Sequence, residues 1–143
     1  MIKRVCLRRT LFLFTLKKKT FMGQIHLLGK KGEAIARQYL LRKGWTILET
    51  NWRISRAEVD LIAKDGEVLV FVEVKTRSTD HFGQPAEFVE SKKEMMLAGA
   101  ASAYMEEIGH DWEIRFDIIG IVFQNEQQYE LKHILDAFFP GEW

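Results

Sequence analysis

The stretch VLVFVEVKTR, residues 68–77, decides the fold of this chain. It begins as an apolar run, and the charged side chains Glu73, Lys75 and Arg77 appear only toward its carboxyl end. Because both alternating faces of the run are apolar over most of its length, the pattern predicts an interior strand of a covered sheet. Such a strand either leaves the core into water at this end or delivers an acid and a base to a site.

A hairpin places this strand beside the one that precedes it. Residues 57–77, AEVDLIAKDGEVLVFVEVKTR, are two β-rich runs joined at Asp65-Gly66, which is a strong turn signal. If these two residues form the loop, Lys64 pairs with Glu67, and directly opposed residues share a sheet face. A loop of three residues would shift the pairing by one residue, and the side chains of the first strand would then point to the opposite face. The residues that share one face in the two-residue case are Glu58, Asp60, Glu73 and Lys75.

Carboxylates that meet across a strand pair repel one another, so they need a bound cation or must take up a proton. Oxygen ligands without cysteine favour a hard cation such as Mg²⁺ or Mn²⁺. A lysine beside that ion can orient or deprotonate a water molecule and can stabilise charge on a phosphate. These are the parts of a metal-dependent phosphodiesterase, and they identify Asp60, Glu73 and Lys75 as the candidate set.

The remaining segments predict a mixed sheet with helices packed on it. Residues 30–43 have helical periodicity and end at Gly44, with Ala34, Ile35, Gln38 and Leu41 predicted on one face and Leu40 beside it. The other predicted elements are a strand at 45–53, a loop at 79–88, a helix at 90–108, a strand at 112–123 and a short strand after 129. The order is therefore helix, strand, hairpin, helix, strand, strand.

Basic residues are concentrated at the start of the 143-residue chain and acidic residues in its second half, although the net charge is only +1. Residues 1–27 are predicted to form a basic arm, either disordered or an over-long reading of a chain that starts at Met22. Residues 28–143 are predicted to form a single domain. The apolar run of the arm is too short for a membrane span, so no membrane partner is expected. The single cysteine, Cys6, favours a reducing cytoplasm.

Three stretches resemble, in order, the YraN family of uncharacterised bacterial proteins, within the PD-(D/E)xK nucleases of restriction-endonuclease-like fold. They are GKKGEAIARQYLLRKGWTILETNWR at 29–53, EVDLIAKDGEVLVFVEVKTRS at 58–78 and RFDIIGI at 115–121. The short segments FG at 82–83 and SKK at 91–93, between the second and the third, match as well. An ExK triplet alone is a weak signal, whereas ExK on an apolar strand after a D-L-I strand and a helical G-x-x-G-E is specific. Two positions depart from the pattern: Val59 replaces the motif proline, and Ala57 stands where the family usually has glycine.

The resemblance implies an α/β fold of restriction-endonuclease-like type, in which a central mixed sheet flanked by helices carries the site. It implies a nuclease that uses Mg²⁺ or Mn²⁺, with Glu33 on the first helix directed at the same metal as Asp60 and Glu73. The implied substrate is DNA rather than RNA, with linear, nicked, flapped and branched forms left open, and a homodimer is attractive because junction-cutting enzymes need two sites. The residues implied for catalysis are Glu33, Asp60, Glu73 and Lys75.

Several cations are candidates for contact with phosphates, and DNA is favoured over RNA as the partner. Lys92 and Lys93 open the second helix against the preference of the helix dipole, which favours an anion-binding role for at least one of them. Two other functions stay open: a module that binds nucleic acid without cutting it, and a subunit that binds another protein. Arg115 and Asp117 are interpreted as a structural pair. The phosphate-contact candidates are Lys30, Lys31, Arg53, Arg56, Arg77 and Lys92.

Overall fold

Helices and strands follow one another in the order that the sequence predicts. The computed structural model describes residues 7–78 and 91–139, with side chains described from residue 21 onward except that of Ser91. The elements are α1 (Leu7–Arg42), β1 (Thr46–Ile54), β2 (Ala57–Asp65), β3 (Val68–Ser78), α2 (Ser91–Ile108), β4 (Ile114–Phe123) and β5 (Tyr129–Ile134). The predicted loop at 79–88 lies outside the described residues.

The five strands form one mixed sheet in which β3 is the central strand, as its two apolar faces predict. The spatial order is β1-β2-β3-β4-β5. Strands β3 and β4 pair in parallel, and the other three neighbouring pairs are antiparallel. A parallel pair needs a long crossover connection, and the segment that contains α2 provides it.

The two helices cover opposite faces of the sheet, which gives three layers. Ala36 and Leu40 of α1 are fully buried in a cluster with Val70 and Val72 of β3. Leu97, Ala101 and Tyr104 of α2 are buried in a second cluster, which contains Phe71 of the same strand. The expected fold class is therefore confirmed: this is an α/β protein whose mixed sheet and flanking helices have the arrangement of a restriction-endonuclease-like fold.

Helix α1 begins earlier than its apolar periodicity predicts. It spans 36 residues and includes residues 7–27, the segment predicted as a basic arm. The segment contains no proline, and its helical hydrogen bonding continues although Phe21, Met22 and Ile25 are exposed. The separation of an arm from a domain at residue 28 stays a prediction. Within the described residues, no helix combines the length and hydropathy needed to cross a membrane.

The buried face of α1 also differs from the predicted one. Ala34 and Leu41 are exposed, whereas Gly32, Ala36 and Leu40, spaced four residues apart, are buried. This face packs so closely on the sheet that a Cβ at Gly32 would overlap the hydroxyl group of Thr76 on β3. Only glycine, which has no Cβ, permits this approach. The predicted stop is confirmed: Gly44 has a φ of 85°, and the Trp45 N–H donates back to the Leu40 carbonyl at 3.1 Å.

The β2–β3 hairpin has a different register from the predicted one. Asp65 pairs with Val68 and Leu61 pairs with Val72, so the two-residue loop consists of Gly66 and Glu67 rather than Asp65 and Gly66. Gly66 has a φ of 60°, which the loop requires and glycine adopts readily. Relative to the prediction, every pairing is displaced by two residues. Because side chains alternate with a period of two, this displacement leaves the predicted faces of β3 unchanged.

Candidate active site

Asp60 lies where β2 and β3 separate. The last residue pair of the β2–β3 ladder is Leu61 with Val72, and beyond it the Val74 N–H donates to Asp60 Oδ2 at 2.7 Å. A carboxylate thus accepts the hydrogen bond that a strand carbonyl would otherwise accept. This attaches the acid of β2 to the backbone of β3 between Glu73 and Lys75.

The regular alternation of side chains is interrupted on both strands at this point. On β2, Val59 and Ile62 pack in the α2 cluster and Leu61 packs in the α1 cluster, which strict alternation from residue 59 to 62 does not allow. On β1, Asn51 has a φ of 51°, in the left-handed region. Asp60 lines clefts on both sides of the sheet rather than on one face.

Glu73 is the buried acid of the site, with only 4% of its surface exposed. Its Oε1 accepts hydrogen bonds from Lys75 Nζ at 2.7 Å and from Lys93 Nζ of α2. Its Oε2 is buried and accepts no hydrogen bond from the described residues. A buried carboxylate oxygen without a donor is costly unless a proton or a cation compensates it.

The proximity of the two acids is reflected in the pKa of Asp60. Burial, and then the negative charge of Glu73, raise the pKa of Asp60 from 3.8 to about 7, although the Val74 N–H and the charge of Lys93 act in the opposite direction. Glu33 contributes a smaller increase to the same pKa. Asp60 is therefore protonated in a large fraction of molecules near neutral pH when no cation is bound.

The two lysines of the site differ in their electrostatics. Burial lowers the pKa of Lys75, although the charge and the hydrogen bond of Glu73 oppose this change. Burial acts in the same direction on Lys93, but there the hydrogen bond and the charge of Glu73 prevail and raise its pKa. The ammonium of Lys93 is thus the more firmly charged of the two.

The close contact between Gly32 and Thr76 fixes the position of α1, whose Glu33 lines the cleft on that side of Asp60. Asn51 Nδ2 donates to Glu33 Oε2 at 3.2 Å, so the residue with left-handed backbone on β1 orients this carboxylate. Glu33 and Asp60 line the same cleft. Glu33 therefore lies near Asp60, and its carboxylate is oriented by Asn51, a residue that the sequence did not indicate.

The acids do not form a closed set of metal ligands. Within the part of the chain that the structure describes, no three His, Cys, Asp or Glu side chains converge as a metal site. Mg²⁺ nevertheless needs only one or two carboxylates and keeps several waters. Asp60 with its raised pKa and Glu73 with its unsatisfied Oε2 fit that requirement, because a divalent cation would compensate both. Glu33 is the third available carboxylate.

Two clefts meet at Asp60, and both contain basic residues. The α1 cleft, of about 820 Å³, is lined by Lys30, Arg37 and Arg53 together with Glu33. The α2 cleft, of about 350 Å³, lies on the other side of the sheet. Arg53 also forms an exposed ion pair with Glu58, which lines both clefts. The cations that line the α2 cleft are Arg56, Lys92 and Lys93.

Two of the predicted phosphate-contact residues lie elsewhere. Lys31 donates to the Glu126 carbonyl, and its Nζ lies 4.9 Å from the centroid of the Phe123 ring. Arg77 is exposed farther along β3, where it donates to the Thr76 carbonyl at 3.4 Å, and it does not line either cleft. Their proximity in sequence to Lys30 and Lys75 does not bring their side chains to Asp60.

Lys93 is a site residue that is absent from the predicted set, although the sequence contains a signal for it. Lys93 is four residues before Leu97 and eight before Ala101, both buried, so helical periodicity places it on the inner face of α2. Lys92, which was preferred, is exposed at the rim of the α2 cleft. Choosing between Lys92 and Lys93 requires knowing which face of α2 packs on the sheet.

A second buried network stabilises the sheet away from this site. Asp117 is fully buried and binds Arg115 Nε at 2.8 Å, His133 Nε2 at 2.8 Å and the Asp136 N–H at 3.0 Å. Arg115 also reaches Asp65 at 3.1 Å, so the network links β4 with β5 and with the end of β2. The structural interpretation of Arg115 and Asp117 is confirmed.

Comparison with known proteins finds similarity over most of the chain. The model of the "Uncharacterised protein family UPF0102" matches residues 32–121. A UPF0102 protein of Christiangramia forsetii is 49% identical over 118 residues, which cover 82% of this chain and 98% of the relative. A UPF0102 protein of Rhodococcus jostii is 41% identical over 112 residues, which cover 78% of this chain and 95% of the relative.

Proposed function

We propose, for a chain that belongs to the uncharacterised protein family UPF0102, that it is a metal-dependent nuclease. UPF0102 is the YraN family that the three sequence stretches resemble. The observation that carries the proposal is the buried Glu73, which contacts Lys75 and Lys93 and keeps one carboxylate oxygen without a donor among the described residues. The reaction is hydrolysis of a nucleic-acid phosphodiester bond, with DNA favoured over RNA.

The proposed cofactor is Mg²⁺ or Mn²⁺, held by Asp60 and Glu73 with support from Glu33. When bound, such an ion supplies Lewis-acid chemistry and lowers the pKa of a coordinated water. The Val74 N–H holds the Asp60 carboxylate in place, and Asn51 holds Glu33. These backbone and side-chain hydrogen bonds orient the acids before substrate arrives, which reduces the reorganisation that the reaction requires.

Lys75 is proposed to accept a proton from the attacking water. Its hydrogen bond to Glu73 Oε1 at 2.7 Å directs Nζ into the site, and burial lowers its pKa and so increases its neutral fraction. A neutral amine at this position can accept a proton from the attacking water, and the ammonium that results stabilises negative charge on the phosphate.

Nucleic acid is proposed to enter along the basic residues of the two clefts. Phosphate oxygens would contact Lys30 and Arg53 on the α1 side and Arg56 and Lys92 on the α2 side. A substrate that engages both sides of the sheet at once favours a flap or a branch over a straight duplex. Cutting both strands of a junction needs two sites, so a homodimer in the cytoplasm forms part of the proposal.

The proposal is tested by incubating labelled duplex, single strand, flap and four-way junction with the full chain in Mg²⁺, Mn²⁺ or EDTA. Lys75→Ala should reduce cutting by about 100-fold or more. Lys132→Ala on β5, which is exposed, is the matched control and should cut at the wild-type rate. Salt-sensitive binding without any cutting would replace the nuclease with a binding module, and absence of both would favour a protein partner.

A further inference from the structure

Lys93 lies where the helix dipole disfavours a cation. It is in the first turn of α2, and its neighbour Lys92 is exposed to water. The side chain of Lys93 turns inward and forms an ion pair with Glu73, which is only 4% exposed. A buried carboxylate therefore offsets the unfavourable position of this lysine at the N-terminus of the helix.

Without a metal, the ionised side chains around Glu73 leave no excess of negative charge, and protonation of Asp60 makes the group net positive. Asp60 and Glu73 contribute two negative charges when both are ionised, and Lys75 and Lys93 contribute two positive charges. A divalent cation added to this group would leave a buried excess of positive charge, which is strongly unfavourable at low dielectric. One of the two ammonium groups must then leave the carboxylates or lose its proton.

Lys93 is the better placed of the two lysines to leave. The Lys75 side chain is 18% exposed and is anchored on the central strand, whereas the Lys93 side chain is 39% exposed on the first turn of α2. Lys93 also lines the α2 cleft beside Arg56 and Lys92. Rotation of its flexible stem would take the ammonium from Glu73 into that cleft, where a phosphate group of a bound strand would accept its hydrogen bonds.

We propose that Lys93 is an exchangeable cation of the site: it neutralises Glu73 when no divalent ion is bound and contacts a phosphate oxygen of nucleic acid when one is. The first half concerns metal and protein alone, and the second half rests on the proposed nuclease function. Lys93 is then a residue that competes with the metal and afterwards assists the substrate. Lys92, one position away, has neither role toward Glu73.

The first half is tested by Mn²⁺ binding without nucleic acid, measured from the electron paramagnetic resonance signal of the free ion. Lys93→Met should bind Mn²⁺ about 10-fold or more tightly than the wild type, because a competing positive charge is removed. Lys93→Gln keeps an N–H donor toward Glu73 and should show the same direction, so it replaces Lys93→Met if that variant does not fold. Lys92→Met is the matched control and should stay within about 3-fold of the wild type, because Lys92 is exposed.

Unchanged or weaker Mn²⁺ binding in both Lys93 variants would overturn the exchange, as would the absence of binding in all proteins. Binding only in the Lys93 variants would support it strongly. The second half is tested by single-turnover cleavage at saturating Mn²⁺, where Lys93→Met should be slower by about 100-fold. Tighter Mn²⁺ binding with a wild-type rate would overturn the phosphate contact alone. If the wild type cuts no nucleic acid, the nuclease proposal and the phosphate contact fail together, and the Mn²⁺ result still decides the exchange.

Discussion

The backbone N–H of Val74 donates to Asp60 Oδ2 at 2.7 Å, so the acid of β2 is attached to β3 between Glu73 and Lys75. The same carboxylate is buried beside a second acid, and its pKa is raised to about 7. A stabilising hydrogen bond and a destabilising charge thus act on one side chain. A site that is strained in this way without a cation is typical of functional positions, where activity is maintained at the expense of stability.

Asp60→Asn should stabilise the metal-free protein at alkaline pH. The folded pKa of Asp60 lies above its unfolded value, so the folded state binds more protons between about pH 4 and pH 7 and loses stability as the pH rises through this window. The asparagine carbonyl can still accept from Val74, but it carries no charge. The gain over wild type should be near zero at pH 4 and reach at most about 4 kcal/mol at pH 8.

Urea unfolding in EDTA at several pH values measures this difference. Glu130→Gln, an exposed acid on β5, is the control and should show no such pH-dependent gain. Adding Mn²⁺ at pH 8 should stabilise the wild type and shrink the advantage of Asp60→Asn. A constant difference from pH 4 to pH 8 would contradict the assignment of the raised pKa to this residue.

Asp117→Asn should destabilise the fold strongly without touching the site. Burial opposes the charge of Asp117, but hydrogen bonds from His133, Arg115 and the Asp136 N–H prevail and lower its pKa. The stability it contributes is therefore present above the unfolded pKa of about 4 and is lost as the pH falls through the folded pKa. Removing one charge of this buried group should cost about 3–5 kcal/mol at pH 7.

The loss is measured by urea unfolding at pH 7 and pH 3, and it should be smaller at pH 3. Asp111→Asn, exposed just before β4, is the matched control and should change stability by less than about 0.5 kcal/mol. A variant Asp117→Asn as stable as the wild type at pH 7 would show that the network contributes little to folding.

Gly32→Ala should reduce both stability and activity, because a Cβ at this position overlaps Thr76 and pushes α1 away from β3. Overpacking of this kind costs about 1–3 kcal/mol. Gly29→Ala, one turn earlier, meets nothing within 4 Å and should stabilise the helix by up to about 1 kcal/mol. Thermal unfolding compares the pair, and Thr76→Ala should restore part of the loss in Gly32→Ala. Equal effects of the two alanines would contradict the close approach.

Lys30→Ala should weaken binding of nucleic acid, whereas Lys31→Ala should leave it unchanged. The two lysines are adjacent on α1, but only Lys30 lines a cleft with Asp60, and Lys31 contacts Glu126 and Phe123. Loss of one phosphate contact lowers the slope of log K against log salt by about 0.9 for duplex DNA. Fluorescence anisotropy from 50 to 200 mM salt measures the slope. A larger loss for Lys31→Ala would place the bound strand on another face.

The sequence by itself determined the order of the elements, the interior position of β3 and the acid–base composition of its end. Those features follow from alternation of apolar residues, from a turn signal and from a glycine stop, all of which act over a few neighbouring residues. The face of β3 that carries Glu73 and Lys75 also followed from local alternation. It was insensitive to the error in the hairpin register because that error was two residues, the period of a strand.

The tertiary structure alone decided which side chains meet at that end. Separation of β2 from β3 at Leu61 leaves the Val74 N–H for Asp60, and docking of α2 brings Lys93 rather than Lys92 to Glu73. The contact of Gly32 with Thr76 likewise sets the rotation of α1, which directs Lys30 and Lys31 to different surfaces. These outcomes depend on packing between segments far apart in sequence, where a rotation of one residue on a helix moves a side chain by about 100°.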